Sequence, residues 1–313
     1  MIYDSVIIGS GPAGLSAAVY AMRAGLSVAV VEKNAVSGGQ VINTYEVDNY
    51  LGMPGIGGFD MGMKFREHAD KLGTTFLDGE VTKITRDREG SGTEAPLFTL
   101  QIEGGEPVSA KTVIIATGAS HAKLGVPGEE EFSGKGVSYC ATCDGNFFRG
   151  REAVVVGGGD VAVEDAIYLS RICSKVTLIH RRDALRAARV LQDELLGIGN
   201  IEVLWDSVVR GISGDASVTG VDVENVRTGA ASKLSTSAVF VAVGIHPDTE
   251  IAAELVNVDG NGYITAGEDC ATNVPGLFAA GDARKKRLRQ IVTAVADGAN
   301  AATAVQDFLS GKQ

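Results

Sequence analysis

Cys140 and Cys143 stand with two residues between them in the stretch Gly136-Val137-Ser138-Tyr139-Cys140-Ala141-Thr142-Cys143-Asp144-Gly145. Thiols at this spacing close a small disulfide ring, and the motif lowers a thiol pKa enough to give a thiolate near neutral pH. Asp144 follows at once and is a candidate acid/base for protonating a leaving thiolate. With Gly145 behind it, the same aspartate also suits a turn or a helix cap. Zinc would need two further ligands. No second CxxC exists, and His68, His121, His180 and His246 are scattered singly, so no metal site is expected. A structural staple is the remaining alternative. In a chain with only four cysteines, an isolated CxxC reads as a redox pair. Cys173 and Cys270 have no partner by spacing and read as small buried hydrophobes.

A redox disulfide needs a source of electrons, and the flanks supply candidates. Near the start, an apolar strand runs into Gly9-Ser10-Gly11-Pro12-Ala13-Gly14, a helix follows to Ala24, and Ser27 to Val31 forms the next strand, closing on Glu32. Strand, glycine turn, helix and strand in this order make a dinucleotide-binding unit. Gly9 permits the tight turn, Gly11 lets backbone approach a pyrophosphate, and Gly14 lets helix pack on strand. Pro12 and Ala13 begin the helix, whose free N–H groups and positive end attract phosphate. Glu32 can accept hydrogen bonds from both hydroxyls of a ribose.

The pattern returns after the CxxC. Glu152 to Val156 is a strand, Gly157-Gly158-Gly159-Asp160-Val161-Ala162 is the turn, a helix reaches Ser170, and Lys175 to Ile179 is the next strand. The step from Gly9 to Gly157, applied to Glu32, lands on His180, followed by Arg181 and Arg182. The place that held an acid is now basic, and Arg186 is near enough to help. A carboxylate there would repel a 2′-phosphate, whereas arginines bind one, so the second unit is expected to take NADPH rather than NADH.

The remaining chain fits around these two units. At 313 residues two domains are expected, and 41 glycines, roughly twice the usual share, suit repeated close approach of backbone to ligand. A net charge of −11 argues against nucleic acid as the main partner. No signal peptide or long apolar run is legible, so no membrane association is expected and a cytoplasmic location fits a reactive CxxC. Met61 to Leu72 has a helical pattern. Val81 to Thr85 and Leu97 to Ile102 read as strands around a polar loop, Arg86 to Glu94. Val113 to Gly118 and Ala238 to Gly244 are matching apolar strands ending in glycine. The tail carries an apolar strand ending in Gly281-Asp282, and an alanine-rich helix covers Ile291 to Leu309. The basic run Arg284-Lys285-Lys286-Arg287 reads as a solvated or dinucleotide-facing loop.

Taken together, Gly9 to Gly14, Gly38-Gly39-Gln40, Cys140-Ala141-Thr142-Cys143-Asp144, Gly157 to Ala162, His180-Arg181-Arg182-Asp183, Gly281-Asp282 and Arg289-Gln290-Ile291 resemble the low-molecular-weight, prokaryotic-type thioredoxin reductases over essentially the whole chain. Val161 stands where many relatives carry Ser or Thr, and Ala283 to Arg287 is more basic than usual. The resemblance implies an α/β protein of two Rossmann-like domains, the second inserted in the first. Residues 1–116 and 248–313 would hold FAD, and 117–247 would hold NADPH and the CxxC. It implies FAD contacts from Gln40, Asn49, Gly281, Asp282, Arg289, Gln290 and Ile291. It also implies electron flow from NADPH through FAD and the Cys140–Cys143 pair to thioredoxin, a homodimer, and rotation of the middle domain about linkers near Gly118 and Gly244. A reductase feeding a peroxidase or another redoxin, or a ferredoxin-linked or oxidase variant, remains the alternative.

Overall fold

The computed structural model describes residues 1–44, 46–88 and 96–311; most of the expected polar loop, residues 89–94, lies outside them. In chain order the elements are β1 (Ile2–Ile8), α1 (Pro12–Arg23), β2 (Val28–Glu32), α2 (Gly58–Lys71), β3 (Thr75–Asp78), β4 (Val81–Arg88), β5 (Leu97–Ile102), β6 (Val108–Ile115) and β7 (Ala119–His121). There follow β8 (Val137–Ser138), α3 (Ala141–Asp144), β9 (Glu152–Gly157), α4 (Asp160–Ser170), β10 (Lys175–Ile179), α5 (Arg189–Leu196), β11 (Ile201–Leu204), β12 (Ser207–Gly214), β13 (Val218–Asn225), β14 (Ala231–Ser235) and β15 (Ala238–Ala242). The chain closes with β16 (Ile245–Pro247), β17 (Leu277–Ala279) and α6 (Ile291–Leu309). They form two compact units, one of residues 1–42, 56–120 and 246–313, the other of 43–55 and 121–245.

In the first unit β3, β2, β1, β6 and β17 run parallel, and β5 and β4 extend the sheet antiparallel beyond β6. The second half of β1 is covered on both faces, which is why Val6-Ile7-Ile8 reads as an apolar run rather than an alternation. Ile7 packs under α1 and α6, while Val6 and Ile8 enter a second core on the opposite face. The helices α1 and α6 lie very close. A methyl placed on Gly298 would meet the Ala17 nitrogen at 2.8 Å, so only glycine permits this crossing.

The second unit repeats the plan with the parallel order β11, β10, β9, β15, β8. Val155 faces the helices α4 and α5, and Val154 and Val156 face the opposite core. That core is roofed by the antiparallel meander β12–β13–β14, whose Val209, Ile212, Val218, Val221 and Val223 point into it. The meander carries register shifts at Val209/Gly211 and Ser213/Gly214, which blur the period-2 alternation by which strands are read from sequence.

Candidate active site and cofactor cradles

Strand register brings the chemistry-bearing turns of the first unit to one edge. Ile8 pairs with Val31 and with Ile115, and Ile115 pairs with Ala279. Glu32 ends β2, and Gly9, Ala116 and Ala280-Gly281 follow the ends of the other three strands, at the carboxyl edge where open α/β sheets bind ligands. Gly9 has φ +100, and a Cβ there would stand 2.5 Å from the Ala116 oxygen. Gly39, at φ +61, would place a Cβ 3.1 Å from the Gly11 Cα, so the two glycine loops touch. Gly281 would place one 2.8 Å from the Ala13 Cβ. The α1 N-terminus has Gly11 as its cap and no side-chain cap bond, which leaves its N–H groups for an anion. Gln40 donates through Nε2 to the Ala119 oxygen.

Glu32 is buried, and its carboxylate is fully engaged. Oε2 accepts from Ser10 N and Oγ, both at 2.7 Å, and Oε1 accepts from Asn34 N and Nδ2, both at 2.8 Å. A ribose would therefore exchange with the Ser10 and Asn34 bonds. Among the described residues of the tail, two buried polar atoms lack hydrogen-bond partners, Asp282 Oδ1 and Arg289 Nε. Burial pushes the Asp282 carboxyl up, partly offset by the Lys286 ammonium 3.4 Å away, an ion-pair distance without hydrogen-bond geometry. Arg289 lies over the Tyr263 ring at 3.9 Å. Gln290 caps α6 reciprocally with Thr293, and Ile291 opens that helix. Orphaned polar atoms beside a glycine cradle fit a polar, phosphate-bearing cofactor such as FAD. Asn49 lies in the 43–55 segment counted with the second unit.

Half of the basic run is solvated and half is not. Arg284 and Lys286 turn inward, with side chains 13% and 8% exposed, while Lys285 and Arg287 face solvent. Both inward cations meet Asp297 of α6. Arg284 Nη2 donates to its Oδ1 at 2.6 Å and Nε to its Oδ2 at 2.9 Å; Lys286 Nζ donates to Oδ2 at 3.1 Å. Gly281 N donates to the same Oδ2 at 3.0 Å, so Asp297 bolts the Gly281-Asp282 turn to α6. Sequence reasoning missed Asp297. The only available signal was a lone aspartate on the alanine-rich face of a helix.

The second unit reproduces the cradle. A Cβ on Gly157 would run into the Ala242 oxygen as one on Gly9 would meet Ala116, and the Ala162 methyl occupies the close-packing position. Gly159 caps α4 without a side-chain bond and has open space above its Cα. Asp160 accepts from Ala188 N at 2.7 Å and Arg186 N donates to the Gly158 oxygen at 2.7 Å, so the basic loop is laced to the glycine turn. Arg181, Arg182 and Arg186 are exposed, and none pairs with a carboxylate among the described residues. His180 is different: it is buried, with Nδ1 2.8 Å from the Gly157 oxygen and Nε2 3.0 Å from the Ala184 oxygen. It braces the turn against the arginine loop. A Cβ on Gly158 would collide with its ring.

Cys140 and Cys143 form a disulfide, with Cα atoms 5.3 Å apart, where the edge strand β8 gives way to α3. Cys140 Sγ lies 3.4 Å from Thr142 Oγ1. Asp144 Oδ2 accepts from Ser138 Oγ at 2.6 Å, and Asp144 Oδ1 is buried without a hydrogen-bond partner. Burial raises the Asp144 carboxyl, and the Ser138 bond only partly offsets it. A buried carboxyl raised in this way, next in sequence to the disulfide, is suited to give a proton to a departing thiolate. Tyr139 donates to Glu129 Oε1 at 2.9 Å, and Glu129 also accepts from Leu124 N and Gly125 N. Cys173 and Cys270 are free and buried; burial raises both thiols, that of Cys270 to about 12.

Residues 3–298 match the family model described as pyridine nucleotide-disulphide oxidoreductase. The chain is 45% identical over 309 residues to a thioredoxin reductase of Listeria monocytogenes, covering 98% of this chain and 94% of that one. It is 44% identical over 313 residues to a thioredoxin reductase of Bacillus subtilis, covering 100% and 96%. Its fold matches the crystal structure of a thioredoxin reductase from Streptococcus pyogenes with a TM-score of 0.92 at 46% identity, covering 99% of each chain.

Proposed function

The chain belongs to the pyridine nucleotide-disulphide oxidoreductases, and from that premise we propose that it is an NADPH-dependent thioredoxin-disulfide reductase. The observation that carries this reading is the Cys140–Cys143 disulfide with Asp144 behind it, in a chain that also holds two dinucleotide cradles. FAD supplies, when bound, the conversion of a hydride into the electron pair that reduces a disulfide.

The residues divide the work. Gly9, Gly11, Pro12, Ala13, Gly14 and Gly39 admit the FAD pyrophosphate against the α1 N-terminus. Glu32 takes the ribose. Asp282, Arg289, Gln290 and Ile291, with Gln40, hold the rest of the cofactor. Gly157, Gly159, Asp160 and Ala162 admit the NADPH pyrophosphate, His180 braces that turn, and Arg181, Arg182 and Arg186 offer unpaired guanidinium groups to its 2′-phosphate. One of Cys140 and Cys143 attacks the partner's disulfide as a thiolate, and Asp144 protonates the departing sulfur.

The partner is thioredoxin or a thioredoxin-like protein. The net charge of −11 speaks against nucleic acid, and among the described residues no helix is long and apolar enough to cross a membrane. A homodimer in the cytoplasm is the reading that the family resemblance supports. The test is oxidation of NADPH, and in parallel NADH, by the purified yellow protein with and without thioredoxin, with Cys143→Ser as control. Thioredoxin-dependent NADPH oxidation, weak with NADH and lost in the variant, is expected. Flavin reduction without thioredoxin turnover would redirect the assignment to another redoxin.

A further inference from the structure

Ser138 carries no role in the proposed chemistry, yet it is buried at 5% exposure between the two groups that do. Its Oγ accepts from Cys140 N at 3.1 Å, which leaves its one proton to donate. Two acceptors are in reach, the Cys140 oxygen at 3.3 Å and Asp144 Oδ2 at 2.6 Å. The shorter contact has the length of a hydroxyl donating to a carboxylate. We propose that Ser138 is the positioning residue for Asp144: its hydroxyl occupies Oδ2 in both protonation states, so that Oδ1 alone carries and delivers the proton.

When Asp144 is protonated, the proton sits on Oδ1 and Oδ2 still accepts from Ser138. During interchange the attacking thiolate forms a new S–S bond, the partner's S–S bond breaks, and its electron pair stays on the departing sulfur. That sulfur takes the Oδ1 proton. The carboxylate left behind keeps the hydrogen bond from Ser138, its only one among the described residues, and loses none of its orientation. Cys140 N–H fixes the serine rotamer, so the acid is registered against the backbone of the redox cysteine itself. The scaffold does not depend on this hydroxyl. Val137 and Ser138 pair with Val239 and Phe240 through the backbone, and Tyr139 is tied separately to the buried Glu129.

The inference rests on Asp144 being the acid, and the test separates the two. In the oxidised holoenzyme, Asp144 is titrated by difference infrared spectroscopy of its carboxyl, with Asp144→Asn as the blank, alongside the pH profile of single-turnover thioredoxin reduction. Ser138→Ala removes the bond that favours the ionised form. Its carboxyl titration and the alkaline limb of the rate profile should both move up by about one pH unit. Ser138→Thr keeps the hydroxyl and should restore the wild-type titration. A serine needed only as a small buried side chain would show the reverse order, with Ala tolerated and Thr not. An unmoved titration in Ser138→Ala, or Thr behaving like Ala, overturns the inference. An alkaline limb that survives in Asp144→Asn overturns the acid role of Asp144, whatever Ser138 does.

Discussion

Asp297→Asn should destabilise the first unit by removing the one anion that two buried cations share. The wild-type carboxylate accepts four hydrogen bonds, two from Arg284 and one each from Lys286 and Gly281. The three side chains are 5%, 13% and 8% exposed, so water screens little. Breaking a buried pair by removing one partner costs about 3–5 kcal/mol. The lower end applies, because the amide oxygen still accepts one bond and Lys286 retains Asp282 at 3.4 Å. About 3 kcal/mol in a unit of this size lowers Tm by roughly 6–12 °C. Calorimetry of the holoprotein reads it directly. Burial pushes the Asp297 carboxyl up, but Arg284 and Lys286 more than offset this and hold it below the usual carboxylate range. A depressed carboxylate stabilises above its unfolded value of about 4 and loses that contribution as pH falls through the folded value. The variant should therefore differ most from wild type at neutral pH, with the gap closing in acid. A wild-type Tm at pH 7 would refute the reasoning, since it would mean the two cations need no anion.

Arg181→Ala with Arg182→Ala should raise KM for NADPH by roughly tenfold or more and leave NADH oxidation unchanged, because the charge serves only the 2′-phosphate; equal losses with both nucleotides would count against the assignment. Gly14→Ala forces a methyl into the Gly9 carbonyl oxygen and should yield protein purified without flavin, read from its visible absorbance; a normally yellow protein would show that the turn can yield. Cys143→Ser should stop thioredoxin reduction while sparing FAD content. Burial and the neighbouring Glu164 raise Asp165 to about 7. That carboxyl contributes stability fully below about pH 4, and the contribution is lost as pH rises through 7. Asp165→Asn should therefore remove an alkaline loss of about 1–3 kcal/mol between pH 5 and 8, measured by urea denaturation at both values; parallel curves for variant and wild type would reject the shifted titration.

The residues by themselves determined the two glycine turns, the helix from Ile291 to Leu309, the strand Lys175–Ile179 and the redox pair. These are matters of local sterics and spacing. A glycine at φ +100 or a two-residue gap between thiols is constrained within a few residues, so it can be read without knowing what lies opposite. The tertiary structure decided which neighbours each polar group meets. Arg284 and Lys286 form half of a basic run in the chain, but strand-like alternation turns them inward to Asp297 on a helix that begins several residues later. His180 occupies the ribose position by offset, yet its ring is held between the Gly157 and Ala184 oxygens. Glu32 is the expected acid, and its oxygens are shared with Ser10 and Asn34. Ser138 is one serine among many until Asp144 stands 2.6 Å from it. A hydrogen bond forms over about 3 Å and depends on direction, and that distance and angle exist only once the chain has folded.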